Sequence, residues 1–457
     1  MSPNSKIIFS IKDIYQNLAK ISKLLEIKVG GWVKSIRESK EIVFITLNDG
    51  SMIDNLQLII SQENFSQNDL IGKINFASYL LVSGKLILTP QRKQLCEMLV
   101  QQIETVNSTD NNYPLQKNNI PLEVVRDYPH LRAKTNYFLT IFRLRHNISK
   151  AVHDFFHHEN FYYVPTPIIT SSDTEGAGEF FNIITSEKDS FFPKPASLTV
   201  SGQLQAEALA QGLGKVYTFS PCFRAENSHT TRHLAEFYMI EPEMAFADLE
   251  KVINLAEKLV KCVFDYVITN NIKELKFLEK FNKKELISKL QKILNSDFKK
   301  ISYDESIKIL EKERNKFVFN DIKWGIDLQF EHEKYLCQYF DNQPVFVTDY
   351  PIHLKAFYMK NNSDEKTTSS FDLLLPEIGE LIGGSMREDN YEILREKALK
   401  IGLDTNNLRW YLDLRRYGYS RSGGFGLGLE RLIMFISGTE NIRDVIAFAR
   451  YPKHLEF

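Results

Sequence analysis

Short apolar runs separated by turn-forming residues fill the chain between positions 29 and 106. The runs are residues 31–33, 42–47, 56–60, 79–82 and 85–88. Their length and their content of β-branched and aromatic residues are typical of β-strands. Asn48, Asp49 and Gly50 end the second run, and Ser83 with Gly84 is predicted to form the turn between the last two. Five strands in this length predict a small closed barrel.

From about position 135 the pattern changes to helices and further strands. Apolar residues recur at three- and four-residue spacing at positions 141, 144, 148, 152 and 155, which predicts one face of a helix. The run 161–164 predicts a strand, and Pro165 restricts it to the edge or the end of a sheet. Residues 249–320 are rich in Lys and Glu with helical spacing, and strand-like runs return at 345. We therefore predict an antiparallel sheet flanked by helices and interrupted by a helical insertion.

A segment rich in Asn and Pro, residues 107–130, separates these two regions and predicts a hinge. The chain is thus predicted to be an α+β protein with a barrel domain at 1–108, a hinge at 109–134 and a second domain at 135–457 that carries the insertion at about 249–320. For the barrel, the oligonucleotide-binding (OB) fold is the leading candidate, while other small barrels match the same pattern.

The composition limits how the protein can bind a partner and indicates the compartment in which it is expected. The 57 Lys and Arg nearly balance the 58 Asp and Glu, so any anionic partner must be held by local basic patches rather than by a general positive field. The cysteines form no C-x-x-C pair, which favours buried thiols in a reducing cytoplasm over a disulfide framework or a zinc site. Residues 1–12 lack the pattern of a secretory signal, and no apolar run approaches the length of a membrane helix. We expect a cytoplasmic protein without a membrane partner.

The densest polar run, residues 222–233, lies between two apolar strands and contains Arg224, Glu226, Arg232 and His233. Guanidinium groups bind phosphate oxygens in a fork, so this loop is a candidate for holding a phosphate chain. A solvated hairpin loop with incidental charges is the alternative interpretation.

Two acids, Asp372 and Glu380, precede the run 383–387. Carboxylates from adjacent segments can share a Mg²⁺ ion that also takes phosphate oxygens, although the same residues could be surface acids around a turn. Further on, Gly424, Gly426 and Gly428 alternate along a predicted strand that leads into an apolar helix starting near Arg431. Bare backbone on one face of a strand admits a flat base or ribose, and Arg431 could then reach a terminal phosphate. The alternative is a glycine-rich bulge beside a structural arginine.

The three groups, in this order, resemble the active-site sequence of the class II aminoacyl-tRNA synthetases, whose motifs 1, 2 and 3 all have counterparts in this chain. The helix before Pro165 resembles motif 1, residues 223–226 resemble motif 2, and residues 424–431 resemble motif 3. With the barrel in front, the resemblance covers nearly the whole chain and points to the aspartyl/asparaginyl subgroup. It implies ATP and Mg²⁺ as cofactors, an amino acid that becomes an adenylate and then passes to the 3′ end of a tRNA, and a homodimer formed through motif 1.

The resemblance also implies residue roles. Arg224 would hold the α-phosphate, and His233 with Arg431 would hold the β- and γ-phosphates. The implied ATP-binding residues are Arg224, Glu226, His233, Phe237, Glu380, Gly428 and Arg431, of which Arg224, Glu226, His233 and Arg431 are the implied catalytic residues. Asp372 and Glu380 would bind the metal. The implied amino-acid-binding residues are Glu175, Ser201, Gln203, Glu241 and Arg387.

Asparagine is expected as the amino acid. The aspartyl enzymes place a lysine where this chain has Ala206, and the asparaginyl enzymes carry a glutamate at the position of Glu241. Glu241 would accept from the amide NH₂ while Arg387 donates to the amide oxygen. Aspartate would bring a like charge to Glu241, which at about 4 Å and an effective dielectric near 20 costs roughly 4 kcal/mol. The alternatives are an aspartyl enzyme whose missing lysine is replaced by Lys355, and a non-catalytic RNA-binding paralogue.

The barrel would read the anticodon of tRNA(Asn). Phe44 aligns with the aromatic residue that stacks on an anticodon base in this subgroup, and Arg37 with Gln57 matches its polar neighbours. Without the resemblance, Phe44 would be predicted as a core residue, and Trp32 is predicted as mainly core. Two departures from the family stand out: His229 replaces the more usual Asn, and Glu377 replaces a glycine.

Overall fold

The computed structural model describes residues 7–62, 66–91, 94–116, 120–171, 180–184 and 191–456. The chain divides into two compact units, residues 1–142 and 143–457. No described helix is long and apolar enough to span a membrane.

The first unit is built around a closed five-stranded barrel with strand order β1-β2-β3-β5-β4. Its elements are α1 (Ile11–Gln16), α2 (Leu18–Ile21), β1 (Ile27–Glu38), β2 (Ile42–Asn48), β3 (Leu56–Ser61), α3 (Asn68–Ile71), β4 (Tyr79–Leu88), β5 (Cys96–Asn107), α4 (Leu122–Arg126) and α5 (Pro129–Arg132). Alternation along β2 explains the closure, since Val43, Ile45 and Leu47 are fully buried while Phe44 and Thr46 point to the other face. The predicted barrel is confirmed.

The predicted turn at Ser83 and Gly84 is wrong. Both residues lie inside β4, which is one continuous strand paired with β1 and β5, and the fifth strand of the barrel is β5. The glycine serves close approach instead, because a Cβ atom on Gly84 would lie 2.0 Å from the carbonyl oxygen of Leu99. The β4–β5 register shifts between Ser83 and Gly84, as expected at a bulge.

The second unit is organised by an eight-stranded sheet of order β12-β13-β14-β15-β16-β11-β10-β6. Its strands are β6 (Tyr162–Tyr163), β10 (Lys215–Phe223), β11 (Glu236–Ala245), β12 (Lys299–Ser302), β13 (Val345–Thr348), β14 (Ser370–Leu375), β15 (Gly379–Met386) and β16 (Ser422–Gly428), and a small separate sheet contains β7 (Ile169–Thr170), β8 (Asn182–Ile183) and β9 (Ala196–Leu198). The six central strands are antiparallel, whereas β6 and β12 pair in parallel at the two edges. The predicted antiparallel sheet is confirmed for its centre.

Helices surround this sheet. They are α6 (Asn136–His158, which starts in the first unit), α7 (Gln203–Leu213), α8 (Leu249–Asn270), α9 (Ile272–Asn282), α10 (Leu286–Leu294), α11 (Tyr303–Lys312), α12 (Phe330–Tyr339), α13 (Tyr391–Lys400), α14 (Arg409–Leu412) and α15 (Leu429–Ser437), with 3₁₀ turns at Arg314–Lys316, Ile352–Leu354, Asp413–Arg416 and Ile442–Asp444. The predicted face of α6 is buried, with Ile141, Leu144, Ile148 and Val152 fully covered. The strand before Pro165 is β6, which lies at the edge of the sheet. This position is expected because proline has no backbone N–H to donate to a neighbouring strand.

Two segments contain more structure than their composition indicated. The predicted hinge, 109–134, includes the short helices α4 and α5. The predicted helical insertion includes β12, which pairs with β13 and so joins the edge of the sheet. Cys96, Cys222 and Cys337 are buried and Cys262 is half-buried, all as free thiols.

Candidate active site

Strands β10 and β11 form a hairpin whose long loop carries the arginine-rich run. Arg224 follows β10 and is fixed at the loop entrance, where its backbone N–H donates to the carbonyl of Ala235 at 3.0 Å. Below the loop lies a cavity of about 210 Å³. It is lined by Arg224, Glu226, Arg232, His233, Leu234, Phe237, Met239, Glu380, Leu381, Gly426, Gly428, Glu430, Arg431 and Ile442. All seven residues predicted to bind ATP therefore line one cavity, together with Arg232 from the same loop.

The cavity walls contain the aromatic ring of Phe237 and several cationic side chains. The Arg224 guanidinium lies 5.4 Å from the centroid of the Phe237 ring. Burial, and next the charge of Arg431, lowers the pKa of His233, so its ring is neutral at pH 7. The His233 Nδ1 lies 3.0 Å from the Ser228 hydroxyl, which orients the ring. Such a cavity can hold a polyanion against donors on one side and a flat ring against Phe237 on the other.

Strand β16 and helix α15 supply the opposite wall. A Cβ atom on Gly424 would lie 2.2 Å from the Pro242 carbonyl oxygen, so this glycine lets β16 approach β11. A Cβ on Gly428 would meet nothing within 4 Å, which leaves the backbone there open to the cavity. Arg431, in the first turn of α15, donates to the carbonyl of Glu380 at 3.0 Å. The glycine alternation thus serves strand packing at one end and access at the other.

The two predicted metal ligands converge above bare backbone. A Cβ atom on Gly383 would lie 3.0 Å from Glu380 Oε1 and 3.4 Å from Asp372 Oδ1, so both carboxylates lie over this glycine. Lys355 donates to both oxygens of Asp372, at 2.7 and 2.6 Å. Within the described part of the chain no set of three or more His, Cys, Asp or Glu side chains is arranged to hold a metal ion, so any ion here must also take substrate oxygens and water.

The residues predicted to bind the amino acid are polar and lie in the protein interior. Ser201, Gln203, Glu241 and Arg387 are all buried. The Ser201 hydroxyl donates to Glu241 Oε1, and the backbone N–H of Gly202 donates to Oε2 at 2.9 Å. A carboxylate has about four lone-pair sites, so Glu241 can still accept from a substrate amide.

Arg387 is held by a partner that the sequence did not single out. Glu243, two residues after Glu241 on β11, accepts from its Nε at 3.1 Å and from its Nη2 in a fully buried ion pair. Nη1 donates to the Ser385 hydroxyl at 2.7 Å, and the Gln203 amide oxygen can face both terminal nitrogens at 3.0 Å. Burial raises the pKa of Glu243 while the guanidinium opposes it, and the pKa of Arg387 is raised because Glu243 stabilises its charged form. The two-point contact with a guanidinium that is always charged makes this a buried ion pair whose opposite charges offset each other.

The residues predicted to meet an anticodon share the outer face of the barrel. Arg37 lies opposite Phe44 across β1 and β2, and Gln57 on β3 lies opposite Thr46, the next outward residue on β2. Phe44 is half-buried, and Arg37 is exposed. The alternative of a core role for Phe44 is therefore wrong, and so is the prediction for Trp32, which is 38% exposed.

Comparison with known proteins decides the family. Residues 121–452 match the family model described as tRNA synthetases class II (D, K and N), and residues 27–106 match that of an OB-fold nucleic acid binding domain. An asparagine–tRNA ligase of Alkaliphilus oremlandii is 47% identical over 464 residues, which cover 98% of this chain and 99% of the relative. A second, from Mycoplasma mycoides, is 47% identical over 439 residues, covering 94% and 96%. The chain belongs to the asparaginyl-tRNA synthetases.

Solved structures agree with this assignment. The crystal structure of asparaginyl-tRNA synthetase from Pyrococcus horikoshii complexed with asparaginyl-adenylate matches with a TM-score of 0.88 at 30% identity, covering 98% of this chain and 99% of that one. A putative aspartyl-tRNA synthetase from Leishmania major shares the fold with a TM-score of 0.82 at 22% identity. The OB fold, the class II catalytic domain and the expectation of an asparaginyl rather than an aspartyl enzyme are confirmed.

Several polar residues of the synthetase site were missed by the sequence reasoning. Glu430 is buried and accepts from Arg145 of α6 at 2.7 Å and from the backbone N–H of Tyr238 at 3.0 Å, so it ties α15 to α6 and β11. The charged pair at the start of an otherwise apolar helix was a usable signal. Glu333 accepts from the backbone N–H of Glu380 at 3.0 Å, and burial, with the nearby Glu380 charge, raises its pKa to about 7.

A second buried network lies along α7 of the synthetase. Glu207 accepts from Arg415 at 2.6 Å, from Tyr411 at 2.6 Å and from Tyr419 at 2.8 Å, and its pair with Arg415 is fully buried. The same charge adds to the raised pKa of Glu243. Nothing in the local sequence pattern could have joined residues that are about 200 positions apart.

The remaining predicted positions are accounted for as follows. Glu175 lies outside the described residues. Ala206 is buried in an apolar cluster with Val164, Ala210 and Val216, and Lys355 is bound to Asp372. This contact gives no support to the alternative in which Lys355 replaces the missing lysine. His229 is exposed in the motif 2 loop, and Glu377 adopts a left-handed backbone conformation with φ of +71°.

Proposed function

We propose that the cavity below the motif 2 loop binds ATP and that the closed pocket around Arg387 binds the side chain of L-asparagine, so that the two reactants meet along β16. The observation that carries this proposal is the placement of both sites on one strand. Gly428 of β16 lines the cavity, and Gly424 pairs with Glu243 beside Arg387. Four residues of strand span roughly 13 Å, a distance that an aminoacyl-adenylate can bridge.

The first step is attack by the asparagine carboxylate on the α-phosphorus of ATP, with pyrophosphate as the leaving group. Arg224 neutralises the α-phosphate, while Arg431 and the neutral His233 donate to the β- and γ-phosphates. Phe237 stacks on the adenine, and Glu226 lies at the mouth of the cavity near the nucleotide or the tRNA end. No protein nucleophile is needed, because alignment and charge neutralisation supply the catalysis.

Asp372 and Glu380 are the residues that would hold Mg²⁺. The proposal is supported by the position of both carboxylates over Gly383, and Lys355 offsets the charge of Asp372 in the free enzyme. When bound, the ion would neutralise charge on the phosphates.

Selectivity for asparagine rests on cancelled charge. Glu241 accepts from the substrate amide NH₂, and Arg387 donates to the amide oxygen. Since Glu243 already neutralises Arg387, the pocket offers no net positive charge to the carboxylate of aspartate. Ser201, Gln203 and Glu175 are proposed to grip the α-amino side of the substrate.

In the second step the asparaginyl group passes to the terminal adenosine of tRNA(Asn), with the anticodon held on the barrel face of Arg37, Phe44 and Gln57. We also propose a homodimer in a reducing cytoplasm. The proposed interface is the edge strand β6, which follows the helix that resembles motif 1 and exposes Tyr162 and Tyr163 by 60% and 52%. A monomeric mass in light scattering at micromolar protein would contradict the dimer.

Exchange of pyrophosphate into ATP tests the activity and the selectivity together. We expect exchange with asparagine and a rate lower by on the order of a thousandfold with aspartate. Equal rates would favour the aspartyl alternative, and no exchange with either amino acid would favour the non-catalytic paralogue.

The substitution Phe44→Ala tests the barrel face. Loss of one stacked base should reduce kcat/KM for tRNA charging about tenfold or more and leave exchange unchanged. The control is Leu88→Ala, which shortens an exposed apolar side chain at the end of β4 and should change neither charging nor exchange. Equal loss in charging and exchange would mean that Phe44 supports folding instead.

A further inference from the structure

The segment that joins α9 to α10 in the predicted helical insertion reaches the C-terminal end of α15. The Asn282 amide donates to the Ser437 carbonyl at 2.8 Å, Lys284 donates to the Gly438 carbonyl at 3.1 Å, and Lys289 donates to the Phe435 carbonyl at 3.2 Å. The last carbonyls of a helix lack partners within the helix, and cations stabilise its partly negative end. The insertion therefore caps the helix whose first turn carries Arg431.

Lys289, unlike the other two donors, also contacts the turn between β14 and β15. Its ammonium group lies 3.1 Å from the Glu377 carboxylate, in the turn between β14 and β15, and 4.2 Å above the Phe435 ring. Lys289 is 17% exposed and Glu377 is 50% exposed, so the lysine is largely shielded from water while its carboxylate partner is half open to it. One side chain thus joins α10, the end of α15 and the β14–β15 turn.

Glu377 occupies a backbone conformation that favours glycine. Its φ is +71°, a conformation that is strained for any residue with a Cβ atom but not for glycine. The surrounding contacts must therefore hold the backbone in place. The same turn positions groups of the ATP cavity. Arg232 donates to the carbonyl of Ile378, and Arg431 donates to the carbonyl of Glu380.

We propose that Lys289 is a positioning residue, and that through it the helical insertion acts as a brace that holds the β14–β15 turn and α15 in the register that brings Arg232, Glu380 and Arg431 together. The inference rests on the proposed function, which places Arg431 and Glu380 at the phosphate end of ATP, in the cavity that Arg232 also lines. It gives the insertion a role in the first reaction step.

The lysines of this region also line a groove of about 760 Å³ beside the cavity, which raises the alternative of an anion-binding site. The contacts speak against it. Lys284, Lys289 and Lys292 each donate to backbone carbonyls, and Glu377 and Glu440 lie among them. These ammonium groups are therefore already bound by groups of the protein itself.

The test is the substitution Lys289→Met in the full-length enzyme, which keeps an unbranched apolar stem over Phe435 and removes both donations. Pyrophosphate exchange should show a KM for ATP raised about fivefold, with the KM for asparagine unchanged. Lys289→Arg should restore most of the ATP affinity because it keeps the charge and the donors. Lys261→Met is the matched control, since Lys261 pairs with Glu257 at 2.7 Å and lies 5.2 Å above the Phe298 ring in the same insertion, and it should change neither KM.

The substitution Glu377→Gly provides a second measurement. It relaxes the backbone and removes the anion, so adding Lys289→Met to it should raise the KM for ATP less than Lys289→Met does in the native background. Additive effects would overturn the brace. So would a lower unfolding midpoint for Lys289→Met with both KM values unchanged, or an equal rise in both. Absence of exchange in the native enzyme would instead reject the proposed function.

Discussion

The two ends of the proposed catalytic site, one for ATP and one for asparagine, differ in how their charges are paired. At the ATP end, Arg431 is 30% exposed and Glu380 is 42% exposed, and three arginines share one open cavity. At the asparagine end, the pairs Arg387–Glu243 and Arg415–Glu207 are almost completely shielded from water. The first set of charges has room for a substrate, whereas the second is already paired.

This difference follows from what each end must recognise. A polyphosphate brings several negative charges, so cations that remain hydrated can exchange water for phosphate oxygens. A carboxamide brings dipoles and no charge, so a pocket with net charge would favour the wrong amino acid. Under the proposed function, partly exposed cations provide affinity for ATP at one end, and paired charges provide selectivity for asparagine at the other.

The largest effect is expected from Arg224→Ala at the ATP end. The loss of a donor to the α-phosphate should lower the exchange rate by on the order of a thousandfold, because this contact strengthens in the transition state. The unfolding midpoint should change little, since the side chain is only half-buried. Arg416→Ala, which removes an exposed surface arginine, is the control. Undiminished exchange would remove the role assigned to Arg224.

At the asparagine end, Glu243→Gln is expected to change the stability and the selectivity. Arg387 would keep its charge without a counter-ion, which should cost about 3 kcal/mol of unfolding free energy, measurable by denaturant titration. The ratio of aspartate-driven to asparagine-driven exchange should rise about tenfold or more, because the uncancelled guanidinium can now pair with a carboxylate. An unchanged ratio would show that Glu241 alone sets the selectivity.

The smallest effect concerns His233, whose pKa burial lowers below the ordinary value of 6.5. Below that pH the unfolded chain binds more protons at this position than the folded protein, so this group makes stability fall as the pH falls. The phosphates of ATP raise the pKa again, so binding should take up less than one proton near pH 6 and none near pH 8. Calorimetry in buffers of different ionisation enthalpy measures this uptake, and His233→Gln should abolish it. Uptake that persists in the variant would assign it to another group.

Local patterns were sufficient for much of the fold and for the ATP cavity. The β10–loop–β11 hairpin and the passage from β16 into α15 each depend on alternation and turn residues within a short stretch, and such stretches can be recognised in isolation. Once these strands are neighbours in the sheet, Arg224, Phe237, Gly428 and Arg431 meet without further information.

The contacts at the asparagine end were harder to predict from the sequence because they are long-range. Glu243 and Arg387 are 144 positions apart, and Glu207 and Arg415 are 208 apart, so no spacing rule connects them. Gly84 was misjudged for a related reason. Its role is close approach to Leu99, which a turn-based interpretation of Ser-Gly cannot reveal.

The strand order has a consequence for synthesis on the ribosome. All five barrel strands lie within residues 27–107, whereas β16, residues 422–428, lies in the middle of the large sheet between β15 and β11. At roughly 5–20 residues per second, the barrel can finish pairing on the order of tens of seconds before β16 emerges. Until β16 emerges, β11, which ends at residue 245, lacks its partner on one edge for roughly 10–40 seconds, and β15, which ends at residue 386, lacks its partner for only a few seconds. Unpaired strand edges are positions where nascent chains can associate wrongly. The centre of the large sheet is therefore the part of the nascent catalytic unit that stays exposed to wrong association after the barrel has closed.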